Sequence, residues 1–358
     1  MANHQHLIAK GDLRATSWNA APGAALDADQ VRLKLDAFAL TANNVTYAAF
    51  GGPPMNYWNF FPAGDEAHGR VPVWGFATVE ASNCAGIEPG QRVYGYFPIS
   101  ETLDVTAGRL SDRGFMDVSP HRVELAPVYN TYLFAANDPA YDAAFEPQQM
   151  LFRPLYATGW MICDSLMEGG PKPEQVLISS ASSKTALATA HGLKSRGVEA
   201  IGLTSAGNKA FVEGGGLYTK VLTYDQAPAF QAAGAAAYVD FVGRPALTKD
   251  VHTACGDKLV RSMVIGVTDW EGDRTPPAEL PGPEPEFFFV PDYAAQRAKA
   301  LPPGELDRRM TADLTAFYPA SKAFVTAETI QGRDAIAKAW LDTVEGDIAP
   351  SRGLICSF

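Results

Sequence analysis

The chain has 358 residues, 47% apolar and 19% charged, a balance that fits a globular protein of two domains and excludes a disordered or fibrous one. Its formal net charge of −11 repels phosphate backbones, so nucleic acid is excluded as the expected partner. Four scattered cysteines (Cys84, Cys163, Cys255, Cys356) form neither a disulfide scaffold nor a closely spaced metal motif, and no stretch nears the roughly 20 apolar residues of a membrane span.

Met1 to Leu13 is polar, carries His4 and His6, and lacks the apolar core of a signal peptide; a cytoplasmic protein is expected. Gln30 to Phe38 alternates Val31, Leu33 and Leu35 with Arg32, Lys34 and Asp36, the pattern of a half-buried strand. Val71 to Ala81 is a second apolar segment, and the Pro-Gly turn within Gly86–Tyr96 delivers Arg92 to Tyr96 as a third strand. Between them lies a glycine-, proline- and aromatic-rich loop, 51–64. Short strands with such punctuation predict a small irregular β-barrel.

The pattern changes near Phe145. Glu146 to Ser165 predicts two short helices, and Gln175 to Ser180 a strand buried on both faces. Lys184 to Arg196 has Leu187, Ala190 and Leu193 on one helical stripe, stopped by Gly197. Strands are expected at Ala200–Thr204, Lys220–Thr223, Ala236–Val242 and Arg261–Val267, with a helix at Ala206–Gly214. A Pro-rich excursion, Thr275–Pro285, follows. Asp292–Leu301, Glu305–Thr315 and Arg333–Glu345 look helical, and Phe324–Ala327 and Leu354–Cys356 look like strands. Alternating strand and helix predicts a doubly wound parallel sheet.

Four local strings carry a resemblance. They are Gly90-Gln91-Arg92-Val93-Tyr94-Gly95 before a strand, Pro154 to Trp160 with its Thr158-Gly159 pair, Ala42 to Ala48, and Ser179 to Ala186. Together with the order of barrel, helical hinge and βαβ units, they resemble the zinc-free branches of the medium-chain dehydrogenase/reductase superfamily, quinone oxidoreductase-like and enoyl reductase-like, or an offshoot of it. The likeness spans nearly the whole chain. It implies an α/β protein with a GroES-like catalytic barrel (1–145), a Rossmann NADP-binding domain (146–315) and a C-terminal return to the catalytic domain (316–358). It also implies homodimers paired through cofactor-domain sheets.

A Rossmann site places a tight turn between a buried strand and a helix N-terminus, whose free N–H groups meet the pyrophosphate. Here that turn, Ser180-Ala181-Ser182-Ser183-Lys184-Thr185, contains no glycine. Its serine hydroxyls and Lys184 can bind phosphate, or Ser183 is simply an N-cap. The second strand ends without the carboxylate of an NAD-specific site. Ser205, Asn208 and Lys209 stand there instead, and the resemblance assigns a serine and a lysine at this turn to the 2′-phosphate of NADP(H). By position, Thr158, Tyr224, Gly266, Val267 and Thr268 add to the lining, while Phe287 to Pro291 either covers the nicotinamide or is core.

Zinc relatives carry a glycine–histidine–glutamate string where this chain has Trp74-Gly75-Phe76, and its six histidines form no pair with ligand spacing, so no metal is expected. The catalytic candidates are Tyr47 first and Tyr57 second, with Asn44, on the loop after the first barrel strand and on the aromatic loop; each tyrosine is equally readable as buried structure. The function expected is NADPH-dependent hydride transfer to a carbonyl or activated C=C of an apolar or aromatic small molecule. Two alternatives stay open: an NADP(H)-binding sensor without hydride chemistry, and a fold whose cofactor site is lost.

Overall fold

The computed structural model describes residues 3–266 and 279–358, and it divides into two compact units, Met1–Leu151 with Thr326–Phe358 and Phe152–Val325. The first unit begins with a hairpin that sequence periodicity missed, β1 (Asn3–Ala9) and β2 (Asp12–Ala21). β2 is exposed along most of its length, so it carries no apolar alternation. β3 (Gln30–Leu40) buries Val31, Leu33 and Leu35 as its alternation requires, with irregularities at Arg32/Leu33 and Leu35/Ala37. The segment after β3 is a helix rather than the expected loop: α1 (Ala42–Ala49), closed by a capping box between Thr41 and Asn44.

β4 (His68–Gly69) pairs with β1. β5 (Pro72–Ser82), β6 (Arg92–Pro98), β7 (Thr102–Ser111), β8 (Gly114–Asp117) and β9 (Thr131–Phe134) complete the barrel in the order β3-β5-β6-β9-β8-β7. It closes because Gln30–Lys34 of β3 also pairs with Thr102–Thr106 of β7. Then comes α2 (Glu146–Glu168), one continuous helix instead of the two expected. Pro154 sits inside it, and Thr158 Oγ1 donates to the Pro154 carbonyl at 3.3 Å.

The second unit is built on β10 (Gln175–Ile178), α3 (Lys184–Ser195), β11 (Glu199–Thr204), α4 (Lys209–Gly214), β12 (Lys220–Thr223), β13 (Ala236–Asp240), α5 (Pro245–Cys255), β14 (Leu259–Val264) and β15 (Glu286–Phe287). All its strands run parallel in the order β12-β11-β10-β13-β14-β15. The order reverses between β10 and β13, the doubly wound arrangement. α5 went unread in the sequence, and Ala206–Asn208 is a 3-10 turn ahead of α4. α6 (Val290–Ala300) and α7 (Glu305–Ser321) end the unit; Val267 and part of the Pro-rich excursion lie outside the described residues.

The chain then re-enters the first unit. β16 (Thr326–Gln331), α8 (Arg333–Glu345) and β17 (Arg352–Ser357) follow, and β17 pairs antiparallel with β3 at Phe38–Leu40, next to where β7 pairs with it. Trp340 of α8 is fully buried and donates through Nε1 to the Leu13 carbonyl at 2.8 Å.

Candidate functional site

In the second unit, β10 and β13 carry the chain to the switch point, where doubly wound sheets bind ligands at the carboxyl ends of their strands. β10 runs into buried Ser179 and then the serine turn. Ser180 takes φ +49°, a left-handed conformation that a glycine would fill without cost. The turn therefore holds, at a serine, a backbone conformation that glycine adopts freely. Ala181 is fully buried, and its carbonyl accepts from Tyr218 Oη at 2.9 Å. A Cβ at Gly202 would stand 3.0 Å from that of Ala181, so the neighbouring strand leaves the turn just enough room.

Ser183 caps α3, its hydroxyl accepting from Ala186 N at 3.3 Å. The remaining first-turn N–H groups have no partner within their helix. Burial lowers Lys184 to about 8. Asn208 Nδ2 donates to Ser182 Oγ at 3.1 Å, so the turns after β10 and β11 are tied together. Ser205 is exposed beside them, and Lys209 sits 3.8 Å from Glu213. Tyr224 opens a 3-10 turn after β12, with the Arg244 guanidinium 5.4 Å from its ring centroid. Thr158 is half-buried on α2; Gly266 is half-buried after β14; Val267 and Thr268 lie outside the described residues.

Ser179 and Asp240 were not foreseen. Both are buried at the switch point, and Ser179 Oγ donates to Asp240 Oδ1 at 2.6 Å. The N–H groups of Val242 and Gly243 also reach that carboxylate oxygen, at 3.0 and 3.1 Å. This clasp fixes the loop leading to Arg244. A carboxylate ending an apolar strand just before Val242-Gly243 was its only signal in the sequence.

The donor set fits a phosphorylated dinucleotide: a helix N-terminus, three serine hydroxyls, a lysine and no carboxylate at the end of β11. Ser180 holds a left-handed φ of +49° within this set. Phe287 is 61% exposed on the edge strand while Phe288 is buried, so the phenylalanine run is core only in part.

In the first unit, the catalytic candidates gather in an aromatic cluster. Tyr47 lies on α1 and is 5% exposed, with Trp74 Nε1 donating to its hydroxyl at 3.2 Å. Its ring meets that of Tyr129 edge-on, with centroids 6.3 Å apart. Tyr57 is less enclosed, shares a 3.4 Å hydrogen bond with the Tyr129 hydroxyl, and lies tilted against Tyr47 with ring centroids 4.6 Å apart. Burial raises the phenols of Tyr47, Tyr57 and Tyr129 above their ordinary range. Asn44 is buried with its amide spent on backbone, Nδ2 donating to Pro72 O at 2.8 Å and Oδ1 accepting from Thr41 N at 2.7 Å. That amide braces α1.

Tyr57 is presented by a 3-10 turn, Tyr57–Phe60, entered through Asn56 at φ +57°. Trp58, 8% exposed, fills a slot between two glycines: a Cβ on Gly51 would lie 2.0 Å, and one on Gly69 2.2 Å, from its indole. Tyr129 was missed because it comes from a different loop. Buried Arg122 holds that loop, donating to Asn130 Oδ1 at 2.9 Å, to Asp117 Oδ2 at 3.2 Å and to the Tyr129 carbonyl. Among the described residues, no three His, Cys, Asp or Glu side chains group as a metal site, and no helix is long and apolar enough to cross a membrane.

The family described as "Protein of unknown function (DUF2855)" matches residues 38–349, and the chain belongs to it. No curated protein matches its sequence. Among solved structures it is similar to CurA from Vibrio vulnificus, at 14% identity and TM-score 0.64, covering 99% of this chain and 98% of that one. A complex of CurA with NADPH gives 15% identity, TM-score 0.62 and the same coverage. The mitochondrial 2-enoyl thioester reductase Etr1p/Etr2p heterodimer from Candida tropicalis gives 11% identity and TM-score 0.62 over 100% of both chains. An Etr1p mutant in complex with NADP and crotonyl-CoA gives 12% and 0.60, again over 100% of both. The fold is the one these solved structures share, a GroES-like barrel unit and a Rossmann unit.

Proposed function

We propose that this DUF2855 protein is a zinc-independent, NADPH-dependent reductase of carbonyls or activated C=C bonds. Its second unit would hold the cofactor and its first unit the substrate. The observation that carries the proposal is the serine turn at the switch point, where Ser180 adopts the conformation of a glycine and no carboxylate ends β11 to repel a 2′-phosphate. Similarity to solved structures that contain NADPH or NADP supports it.

Ser182, Ser183 and Lys184 would take the pyrophosphate, and Ser205, Asn208 and Lys209 the 2′-phosphate. When bound, the dihydronicotinamide supplies a hydride. Tyr57 is the better placed of the two candidate acids, because Tyr47 is enclosed and its hydroxyl engaged. The surrounding rings (Tyr47, Phe60, Trp74, Tyr129) suit a flat apolar acceptor. Free cysteines, three of them buried, suit a reducing compartment such as the cytoplasm. Exposed Phe287 on the sheet-edge strand suits a homodimer, for which light scattering is the measurement.

NADPH oxidation with a panel of quinones, enones and enoyl thioesters, run beside NADH, tests the function. Turnover with NADPH at least about tenfold preferred is expected. Equal use of NADH removes the 2′-phosphate assignment, and tight NADPH binding without turnover favours a sensor.

A further inference from the structure

We propose that Tyr96 is a specificity-determining residue, whose hydroxyl binds a second oxygen of the acceptor at the end remote from the one Tyr57 meets. The proposal rests on the reductase function above and narrows its substrate class. Tyr96 comes from β6 and pairs with Trp74 of β5. Its ring is the hub of the aromatic cluster. Ring centroids lie 4.7 Å away for Tyr129, 4.9 Å for Trp74, 5.5 Å for Tyr47 and Phe60, and 5.8 Å for Phe61. Tyr57 is half-buried and packs on three of those same rings, Tyr47, Phe60 and Tyr129.

Tyr96 is wholly buried, yet its Oη has no hydrogen-bond partner among the described residues. The hydroxyls around it are engaged elsewhere: Tyr47 accepts from Trp74, Tyr57 and Tyr129 share one bond, and Tyr132 donates to the Tyr96 carbonyl. A buried hydroxyl without a partner forfeits the bonds it made in water. Phenylalanine would fill the same ring space without that loss. A costly polar atom kept at the centre of a candidate substrate site marks where a ligand atom belongs.

Burial pushes the Tyr96 phenol well above its ordinary range, so it stays an O–H donor and gives up no proton. Its partner is therefore an acceptor, a carbonyl or hydroxyl oxygen. A substrate ending in hydrocarbon would leave the hydroxyl unsatisfied in the complex as well. The favoured acceptor is a flat molecule with an oxygen at each end. In the reaction, the substrate takes a hydride, two electrons, from the dihydronicotinamide at a carbon conjugated with both oxygens. The Tyr57 O–H bond breaks and its proton goes to the resulting anion; water returns it after product leaves. Tyr96 keeps its proton, and its hydrogen bond strengthens as charge spreads to the inner oxygen. The way in passes Tyr129, whose loop exposes Val123 and Val128.

Tyr96→Phe removes the oxygen and leaves the ring. The test compares NADPH-dependent reduction of 2-cyclohexene-1,4-dione and 2-cyclohexenone, which differ by one carbonyl. The native preference for the dione, as a ratio of kcat/KM values, should fall about tenfold in the variant. An unchanged ratio overturns the proposal. A second readout needs no turnover: without its orphan hydroxyl, the Tyr96→Phe protein should unfold at the native temperature or up to about 4 °C higher. A lower midpoint means that the protein satisfies the hydroxyl itself, through a trapped water for instance, and also overturns the proposal. Should the native protein reduce neither these acceptors nor any in the substrate panel, the reductase function fails. Calorimetric titration with hydroquinone then still decides Tyr96: the native protein should bind it about tenfold more tightly than Tyr96→Phe, and equal affinity or no binding sinks the assignment.

Discussion

The Trp58 slot makes a quantitative demand on Gly69. In Gly69→Ala the new methyl would lie 2.2 Å from Cε3 and 2.5 Å from Cδ2 and Cζ3 of the indole. The ring has little room to shift, because Gly51 stands so near its pyrrole end that a Cβ there would be 2.0 Å from Nε1. The backbone of Gly69 is also fixed, bridged to Ile8 on one side and Pro62 on the other. Trp58 must therefore leave the slot or pry the strands apart. Overpacking costs about 1–3 kcal/mol and loss of a buried aromatic about 3–5, so a loss of about 3 kcal/mol is expected. At roughly 2–4 °C per kcal/mol for a unit of this size, the barrel transition should fall by about 6–12 °C. Gly52→Ala, where a Cβ meets nothing within 4 Å, is the control and should stay within about 0.5 kcal/mol of the native protein. Urea titration with tryptophan fluorescence reads both. A Gly69→Ala protein as stable as Gly52→Ala would refute the sandwich.

Three further outcomes follow from buried groups. His6 is fully enclosed, neither ring nitrogen has a partner, and burial lowers its pKa from 6.5 to about 4. Above 6.5 it costs nothing; as pH falls from 6.5 to 4 the unfolded chain takes a proton that the folded one refuses, removing about 3 kcal/mol. As pH falls through this window the denaturant midpoint of the native protein should drop more steeply than that of His6→Leu. Lys184, lowered to about 8, is a cation below that pH and neutral above it. NADPH affinity should weaken by up to about tenfold between pH 8 and 9, and Lys184→Arg should flatten that dependence in a calorimetric titration. Arg122→Leu would strand buried Asp117 and should cost about 3–5 kcal/mol by chemical denaturation, whereas Arg14→Ala, at an exposed pair with Glu345, should cost under about 1.

What could be read from the sequence was what local periodicity encodes. Val176–Ile178 and Ala200–Thr204 are short apolar runs because both faces are covered, and β3 alternates because one face is. α1 escaped notice because Asn43-Asn44-Val45-Thr46 has poor helix propensity; the Thr41–Asn44 box supplies what propensity lacks. Two helices differ from the expectation, and each holds a proline: α2 runs unbroken through Pro154 where two short helices were expected, and α5 carries Pro245 in its first turn, where its missing N–H costs nothing. The phosphate turn was legible as strand–turn–helix, but not the left-handed Ser180 within it. Tyr129 and Trp74 could not be assigned to the cluster, since residues 47, 57, 74 and 129 meet only once the barrel closes.

The late return of the chain sets an order of events at the ribosome. The second unit is one uninterrupted stretch, so it can fold as soon as it emerges. The first unit must wait: the edge of β3 at Phe38–Leu40 has no neighbour until β17, more than 300 residues later, lies down beside it, and Leu13 has no Trp340 until α8 is complete. Until then an apolar strand edge stands open, the kind of surface that recruits other nascent chains. Premature termination before Arg352 would thus do more than remove a tail. It would leave the Phe38–Leu40 edge of a closed barrel uncovered, a seed for aggregation.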